Sequence, residues 1–370
     1  MKIIGPFIAV CVLACIAWLG TGPLSLYTLF GIIIPYLAFA AFIVGFIIRI
    51  VNWGRSAVPF RIPTTAGQEK SLPWIKQNKL DNPSSKAGVF GRMALEVLLF
   101  RSLFRNASTE KTEDGIAIGS AKWLWLGALI FHWSMLIIVL RHFRLFLDPI
   151  PAWISALEGI DGMFQIGLPV IYLTDLGIVA GLTFLFLRRV VVPRIRYISQ
   201  AIDYFPLFLL LGIACAGIIM RYFTKVDMSA VKELCLGLVS FQPVANVTEP
   251  IFYVHVFLVC CLLVYFPWSK LMHAGGVFFS PTRNMANNSR AVRHVNPWNY
   301  EVKKHTYEEY ENENWEKMKA LGLPLDFEHV KEEEPPAEAE GAKADAAEGA
   351  NAGAAEGAAA EAATTQDSEG

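Results

Sequence analysis

Long apolar stretches limit this chain more than any other feature. Crossing about 30 Å of hydrocarbon as a helix takes roughly 20 predominantly apolar residues. Six stretches approach that length: residues 3–19, 26–50, 123–147, 167–187, 205–220 and 251–272. Backbone polar groups in lipid need partners within their own segment, so each stretch is expected to be a helix. The expected fold is therefore an all-α integral membrane protein, a six-helix transmembrane bundle. With 54% hydrophobic and 18% charged residues, the chain is no ordinary soluble domain. Lys2 before an apolar run has the look of a secretory signal, and Val12-Leu13-Ala14-Cys15 hints at a lipoprotein cleavage site. Apolar residues continue through Ile16, Ala17, Trp18 and Leu19 with no small-polar cleavage region after them, so an uncleaved membrane helix is expected.

Charge gives the orientation. The net charge is −1, but residues 332–370 hold eleven Asp/Glu and one Lys, which leaves +9 on the rest. Residues 52–121 hold ten Lys/Arg, and Arg188, Arg189, Arg194 and Arg196 follow the fourth stretch. Residues 148–166 hold none, and residues 221–250 only three. Lys/Arg concentrate in cytoplasmic loops, so the chain is expected to be multi-pass in the cytoplasmic membrane with both termini in the cytoplasm. The basic body then reads as topology and attraction to anionic headgroups. No nucleic-acid-binding motif accompanies it, so no nucleic-acid partner is expected.

These landmarks divide the chain into residues 1–51 (two N-terminal transmembrane helices), 52–121 (a cytoplasmic segment), 122–273 (a four-helix domain), 274–331 (a cytoplasmic C-terminal region) and 332–370 (a low-complexity acidic Ala/Glu/Gly tail expected to be disordered). Within the second segment, Phe90, Met93, Val97, Phe100 and Phe104 recur at three- to four-residue steps among Arg92, Glu96, Arg101 and Arg105. That pattern predicts one amphipathic helix over residues 89–105, lying on the membrane surface, docking a cytoplasmic partner, or both. The six cysteines form no CxxC pair, so the chain carries no iron–sulfur or thiolate zinc set of its own.

The histidines carry the chemistry. His132 and His142 lie on the third stretch, and His255 and His273 on the sixth. Ionisable residues at membrane depth are functional candidates by default, although one such histidine could simply bond a neighbouring helix. The two stretches run antiparallel, so level matching couples His132 with His273 near the cytoplasm and His142 with His255 near the outside. Imidazole is an axial ligand for haem iron, and each couple suits one macrocycle: an inner haem on His132 and His273, an outer haem on His142 and His255. The spacings do not match directly. A rise of about 1.5 Å per residue gives roughly 15 Å between the first two and roughly 27 Å between the second two. A helix break near Pro267 would absorb part of that difference.

The pattern His-x9-His on one helix and His-x17-His on a later one resembles the membrane cytochrome b subunit of respiratory nitrate reductase, the gamma subunit. The likeness covers residues 122–273. It implies two b-type haems, each with two of these histidines as ligands, and electron exchange with a quinone. An extra N-terminal helix, a long segment before the first haem helix and a long C-terminal extension depart from that subunit. They make the chain more similar to the M subunit of the Dsr MKJOP complex of sulfur metabolism and to the membrane subunit of heterodisulfide reductase. That likeness implies menaquinone as exchangeable substrate and a cytoplasmic iron–sulfur partner that is heterodisulfide-reductase-like (DsrK-like). It further implies an indirect link to the sulfur carrier DsrC, and a multihaem cytochrome c among other possible membrane subunits.

Quinone chemistry moves protons as well as electrons, and polar groups near the outer haem are its candidates: Asp175, Arg141, Arg144, Glu249 and Tyr253. Asp175 lies inside the fourth stretch and is the most costly of these to place in lipid. It could equally pair with an arginine. The chain has no iron–sulfur or flavin motif, so it is expected to act as an electron-transfer subunit and not to be catalytic alone. Two other classes stay open: a haem-free transporter with histidine proton relays, which would show an inverted repeat that is not apparent, and a structural anchor subunit.

Overall fold

The computed structural model describes residues 2–56, 74, 76–112, 115–162, 170–288 and 305–329. Residues 332–370, expected to be a disordered tail, lie outside the described residues. The chain divides into two units, residues 1–299 and 300–370.

In the first unit, helix α1 (Ile4–Thr21) leads through a π-helical turn, Leu29–Ile33, into α2 (Ile34–Gly54). Helices α3 (Lys86–Leu99) and α4 (Arg101–Phe104) precede a hairpin of β1 (Ala107–Thr112) and β2 (Gly115–Ser120). Then come α5 (Lys122–His142), α6 (Ala152–Asp161), α7 (Leu173–Val191), α8 (Pro193–Ile198) and α9 (Ala201–Ile218). Helices α10 (Met228–Ser240), α11 (Pro250–Tyr265), α12 (His273–Gly276) and α13 (Pro281–Asn284) complete it. The second unit contains α14 (Tyr307–Ala320). Its buried Glu311 carboxylate accepts the backbone N–H groups of Asp326 and Phe327 at 2.9 and 2.6 Å.

Among the described residues, five helical segments are long and apolar enough to cross a membrane: Ile4–Thr21, Leu29–Gly54, Lys122–Leu145, Ala201–Thr224 and Pro250–Trp268. Their outward faces are bare apolar surface, with Ile4 62% and Leu37 65% exposed. A soluble protein rarely exposes so much apolar surface, and this is a multi-pass helical membrane protein. The expected fourth stretch, 167–187, begins in residues that are not described. Its described part is α7, which carries Asp175, Arg188 and Arg189 and packs between α5 and α9.

Close packing runs from α5 to α7, α7 to α9 and α9 to α11, with α1 against α9 and α11 and α2 against α11. Small residues permit it. Gly177 and Gly181 stand one turn apart on α7, where a Cβ would meet Ser134 Oγ and the backbone of Phe131 at 2.3 and 3.0 Å. Lipid tails are as apolar as leucine, so van der Waals contact of this kind, not the hydrophobic effect, holds membrane helices together. Ile178 and Leu182 of α7 pack with Leu210 of α9, and a larger core gathers Phe30, Leu234, Tyr253 and Leu258.

The structure corrects one expectation. The helix predicted over residues 89–105 is two helices, broken at Phe100, whose φ of 49° and ψ of 47° are left-handed. An L-residue pays roughly 1–2 kcal/mol for that conformation, which is why helices commonly end on glycine there. One short hairpin accompanies the helices: the β1–β2 pair, in register from Ala107 opposite Ser120 to Thr112 opposite Gly115, follows the helix expected over residues 89–105. Gly115, the first residue of β2, has a φ of 138°, a conformation that favours glycine.

Candidate functional site

The four histidines form two facing couples. The ring centres of His132 and His273 are 5.9 Å apart, and those of His142 and His255 are 6.3 Å apart. Helices α5 and α11 are not close packing partners themselves: α5 packs on α7, α7 on α9 and α9 on α11. The break expected near Pro267 is present. Helix α11 ends at Tyr265, a 3-10 turn spans Phe266–Trp268, Ser269 is extended at φ −112° and ψ 175°, and a second 3-10 turn leads to His273. Breaking the helix there lets His273 meet His132 although residues 255–273 span more chain than residues 132–142.

Each Nδ1 atom faces a backbone carbonyl oxygen. His132 reaches Ala128 and His142 reaches Ile138, each at 2.7 Å; His255 reaches Ile213 at 3.0 Å and His273 reaches Lys270 at 2.8 Å. A carbonyl can only accept, so every Nδ1 carries the proton and every Nε2 keeps its lone pair. That is the ligand tautomer, fixed by the hydrogen bond on the other nitrogen. Gly217 makes room for this at His255, since a Cβ there would lie 3.3 Å from the ring's Cε1.

A metal–imidazole bond of about 2 Å and a ring radius of about 1.1 Å, set by ring bonds near 1.33 Å, place two imidazoles on opposite sides of one ion with centres about 6 Å apart. Both couples match. Among the described residues no group of three or more His, Cys, Asp or Glu gathers as a metal site. Each couple offers two nitrogens, the axial number a porphyrin leaves to the protein. The couples differ in one respect: the rings of His142 and His255 are nearly parallel, at 8°, while those of His132 and His273 cross at 84°.

A polar cluster lies at the His142 end. Arg141 Nε is 3.1 Å from Asp161 Oδ2, and Arg141 Nη2 is 3.2 Å from Asp175 Oδ1. Asp161 also accepts the backbone N–H and the hydroxyl of Thr174 at 2.9 and 2.6 Å. The Tyr222 hydroxyl donates to Asp175 Oδ2 at 2.7 Å. The Tyr172 ring lies between two guanidinium groups, Arg141 at 3.7 Å and Arg221 at 4.0 Å from its centre. Buried opposite charges with their remaining lone pairs hydrogen-bonded are tolerated where a lone charge is not.

Of the five polar candidates, the structure brings together Arg141 and Asp175. Arg144 instead pairs with Glu158 at 2.7 Å. Glu249 stands at the N-terminus of α11, where its carboxylate accepts the Thr248 N–H. The Tyr253 hydroxyl is fully buried and donates to the Val247 carbonyl at 2.7 Å, with its ring stacked on Tyr27. Sequence reasoning missed Asp161, Thr174, Tyr172, Arg221 and Tyr222. One signal was present: Asp161 is acidic in a link without lysine or arginine, after a helix that ends in Arg141 and His142 with Arg144 in the turn beyond.

At the other end the segment before α5 touches His132. The Phe100 ring meets the imidazole edge-on, with centres 5.0 Å apart. Trp125 Nε1 and Trp133 Nε1 donate to the carbonyls of Leu99 and Leu98 at 2.7 and 3.0 Å. Beneath them Asp81, 6% exposed, pairs with Arg92, Arg101 and Arg105. Glu96 accepts from Ser102 Oγ at 2.7 Å and pairs with Arg283 at 3.2 Å. Burial pulls the Arg92 guanidinium below its ordinary pKa, and Glu96 opposes that shift.

A family model described as the nitrate reductase gamma subunit matches residues 89–294. The chain is 50% identical over 278 residues to a protein of Archaeoglobus fulgidus named Hdr-like menaquinol oxidoreductase cytochrome b-like subunit, covering 73% of this chain and 83% of the relative. A protein of the same name from Archaeoglobus profundus is 42% identical over 283 residues, covering 74% and 83%. All four histidines lie inside the residues matched by the family model.

Proposed function

This chain belongs to the nitrate reductase gamma subunit family, and on that premise we propose that it is the di-haem cytochrome b subunit of a quinone-linked respiratory complex. His132 and His273 hold an inner haem b, and His142 and His255 an outer one. Electrons pass between menaquinone/menaquinol near the outer couple and a cytoplasmic iron–sulfur subunit of the heterodisulfide-reductase-like kind. Six helices cross the cytoplasmic membrane, α7 being the fourth, and both termini are cytoplasmic. The observation that carries this reading is the set of four imidazoles in two facing couples, each with Nδ1 bonded to a carbonyl. The relatives' printed name, menaquinol oxidoreductase, supports the quinone. The Dsr-type complex of sulfur metabolism, with its DsrK-like partner, is the finer assignment.

Held by these histidines, haem would supply one-electron transfer. The residues of this chain do the rest. The carbonyls of Ala128, Ile138, Ile213 and Lys270 hold each ring in the ligand tautomer. Arg141, one residue before His142, is fixed by Asp161 and Asp175, so its charge stays beside the outer couple without moving. Asp175 is the proposed acceptor of a proton released when menaquinol is oxidised, and Tyr222 orients its carboxylate. Glu249, Tyr253 and Arg144 keep structural roles in this account.

The test is selective loss. His142→Ala or His255→Ala should remove one b-type haem and menaquinol-analogue reactivity while the other haem remains. His132→Ala or His273→Ala should remove the second haem and leave the first reducible by quinol. If every histidine variant keeps both haems, the assignment is wrong.

A further inference from the structure

The segment before α5 has its polar and apolar sides reversed. Arg92 and Glu96 of α3 are buried, whereas Phe90 is 77% exposed and Val97, Leu98 and Leu99 also face out. The buried side is an ionic core, with Asp81 gathering Arg92, Arg101 and Arg105 while Glu96 takes Ser102 and Arg283. That core ties the segment to the chain beyond His273 twice, through Arg283 to Glu96 and through the Asn287 N–H, which donates to the Pro83 carbonyl at 2.8 Å. The segment is tied to α5 as well, through the indoles of Trp125 and Trp133. Two rigid attachments therefore lead to the two members of one histidine couple.

At the point of contact stands Phe100. Its left-handed backbone ends α3 and turns the chain back into α4, freeing the Leu98 and Leu99 carbonyls for the two indoles. Glycine is the residue that suits this conformation. A phenylalanine held there is local strain maintained by its surroundings, and strain of this kind concentrates at functional positions. The Phe100 ring packs on His132 at 5.0 Å and 78°, while Phe131 takes a second edge of the same imidazole at 4.7 Å. The His132 ring is thus held by three contacts: Phe100, Phe131 and the carbonyl of Ala128. The ring plane of a ligand and the contacts around it are levers on a metal centre.

We propose that Phe100 is a positioning residue for the inner ligand His132, and that the ionic-cored segment at residues 76–105 exists to hold it there. The 84° crossing of His132 and His273 is the arrangement that this contact maintains. This rests on the reading that His132 and His273 hold the inner haem.

The experiment uses the full chain, purified in detergent with its native haem, as wild type and as Phe100→Gly, Phe100→Ala and Phe100→Tyr. The readouts are the low-temperature electron paramagnetic resonance spectrum of the ferric haems and the two midpoint potentials. Crossed and parallel imidazole planes give ferric haem signals of different anisotropy, so the two haems are distinguishable. Phe100→Gly and Phe100→Ala should shift the inner signal and the inner potential and leave the outer ones in place. Phe100→Tyr, which keeps the ring, should restore both. Phe100→Gly relieves the backbone strain, so its thermal stability should equal or exceed that of the alanine variant, which separates ring loss from unfolding. A two-haem wild type whose inner signal and potential do not move in Phe100→Gly overturns this assignment alone. A haem-free wild type overturns it together with the functional reading.

Discussion

Asp161→Ala is the sharpest test of the polar cluster at the His142 end. Asp161 is 5% exposed and does three things at once. It faces Arg141 Nε at 3.1 Å, accepts the Thr174 N–H at 2.9 Å and accepts the Thr174 hydroxyl at 2.6 Å. Removing one partner of a buried ion pair costs about 3–5 kcal/mol, because the remaining charge is left without compensation. Asp175 still faces Arg141, which places the loss near the lower figure, about 3 kcal/mol. At about 2.1 cal/mol/K of unfolding entropy per residue, a chain of 370 residues shifts by roughly 1.3 °C per kcal/mol, so the apparent melting temperature should fall by about 4 °C. The assay is thermal unfolding in detergent, followed by helical circular dichroism at a fixed scan rate. Glu158→Ala is the control. Its pair with Arg144 is partly exposed, at 37% and 22%, and such pairs contribute about 0–1 kcal/mol. Equal melting of Asp161→Ala and wild type would refute the claim that this carboxylate organises the cluster.

Other outcomes follow from the packing and the charges. Gly181→Ala places a methyl 2.9–3.0 Å from Phe131, including its backbone, so α5 and α7 must part; overpacking of this kind costs about 1–3 kcal/mol, measured by the same melting assay, and unchanged melting would show that the helices are not in contact there. Burial pushes the Cys235 thiol up to about 12, so at pH 8 its reactive thiolate is scarce and maleimide should label it at least about a thousandfold more slowly than an ordinary thiol. Labelling of Cys235, read on its own peptide because Cys11, Cys15 and Cys215 are exposed, should accelerate as pH rises and go to completion on denaturation; prompt labelling of Cys235 in the folded protein at pH 8 would contradict the buried position. Truncation after Lys331 should leave haem content unchanged, and haem loss would show that the acidic tail has a structural role.

Much of the fold was legible because lipid imposes a simple rule. A run of about 20 apolar residues has one viable conformation in a bilayer, and five of the expected stretches correspond to helices long and apolar enough to span. The fourth was blurred by its own chemistry, since Asp175, Arg188 and Arg189 interrupt the apolar run of α7. The level matching of the histidines rested on helix direction alone, and the rings do face each other in those couples. The break that makes it possible was signalled by Pro267.

What escaped the sequence lacked a local signal. Phe100 ends a helix where glycine would normally announce the stop, so periodicity ran straight through it to Phe104. The β1–β2 hairpin is short and its polar strand carries no apolar alternation. Asp161, Asp175 and Tyr222 are spread over more than sixty positions, and only the packing of α7 against α5 and α9 brings them to Arg141. Tyr253, one of the sequence candidates, has its hydroxyl bonded to the Val247 carbonyl inside the core, a contact that only the packing reveals.

The central claim is that the four imidazoles hold two haems. The measurement that reaches it most directly is a redox titration of the purified chain, with haem and protein quantified on the same sample. The account predicts two b-type haems per chain, reduced in two resolved steps and re-oxidised by a menaquinone analogue. One haem per chain, or none in a folded preparation, would contradict it.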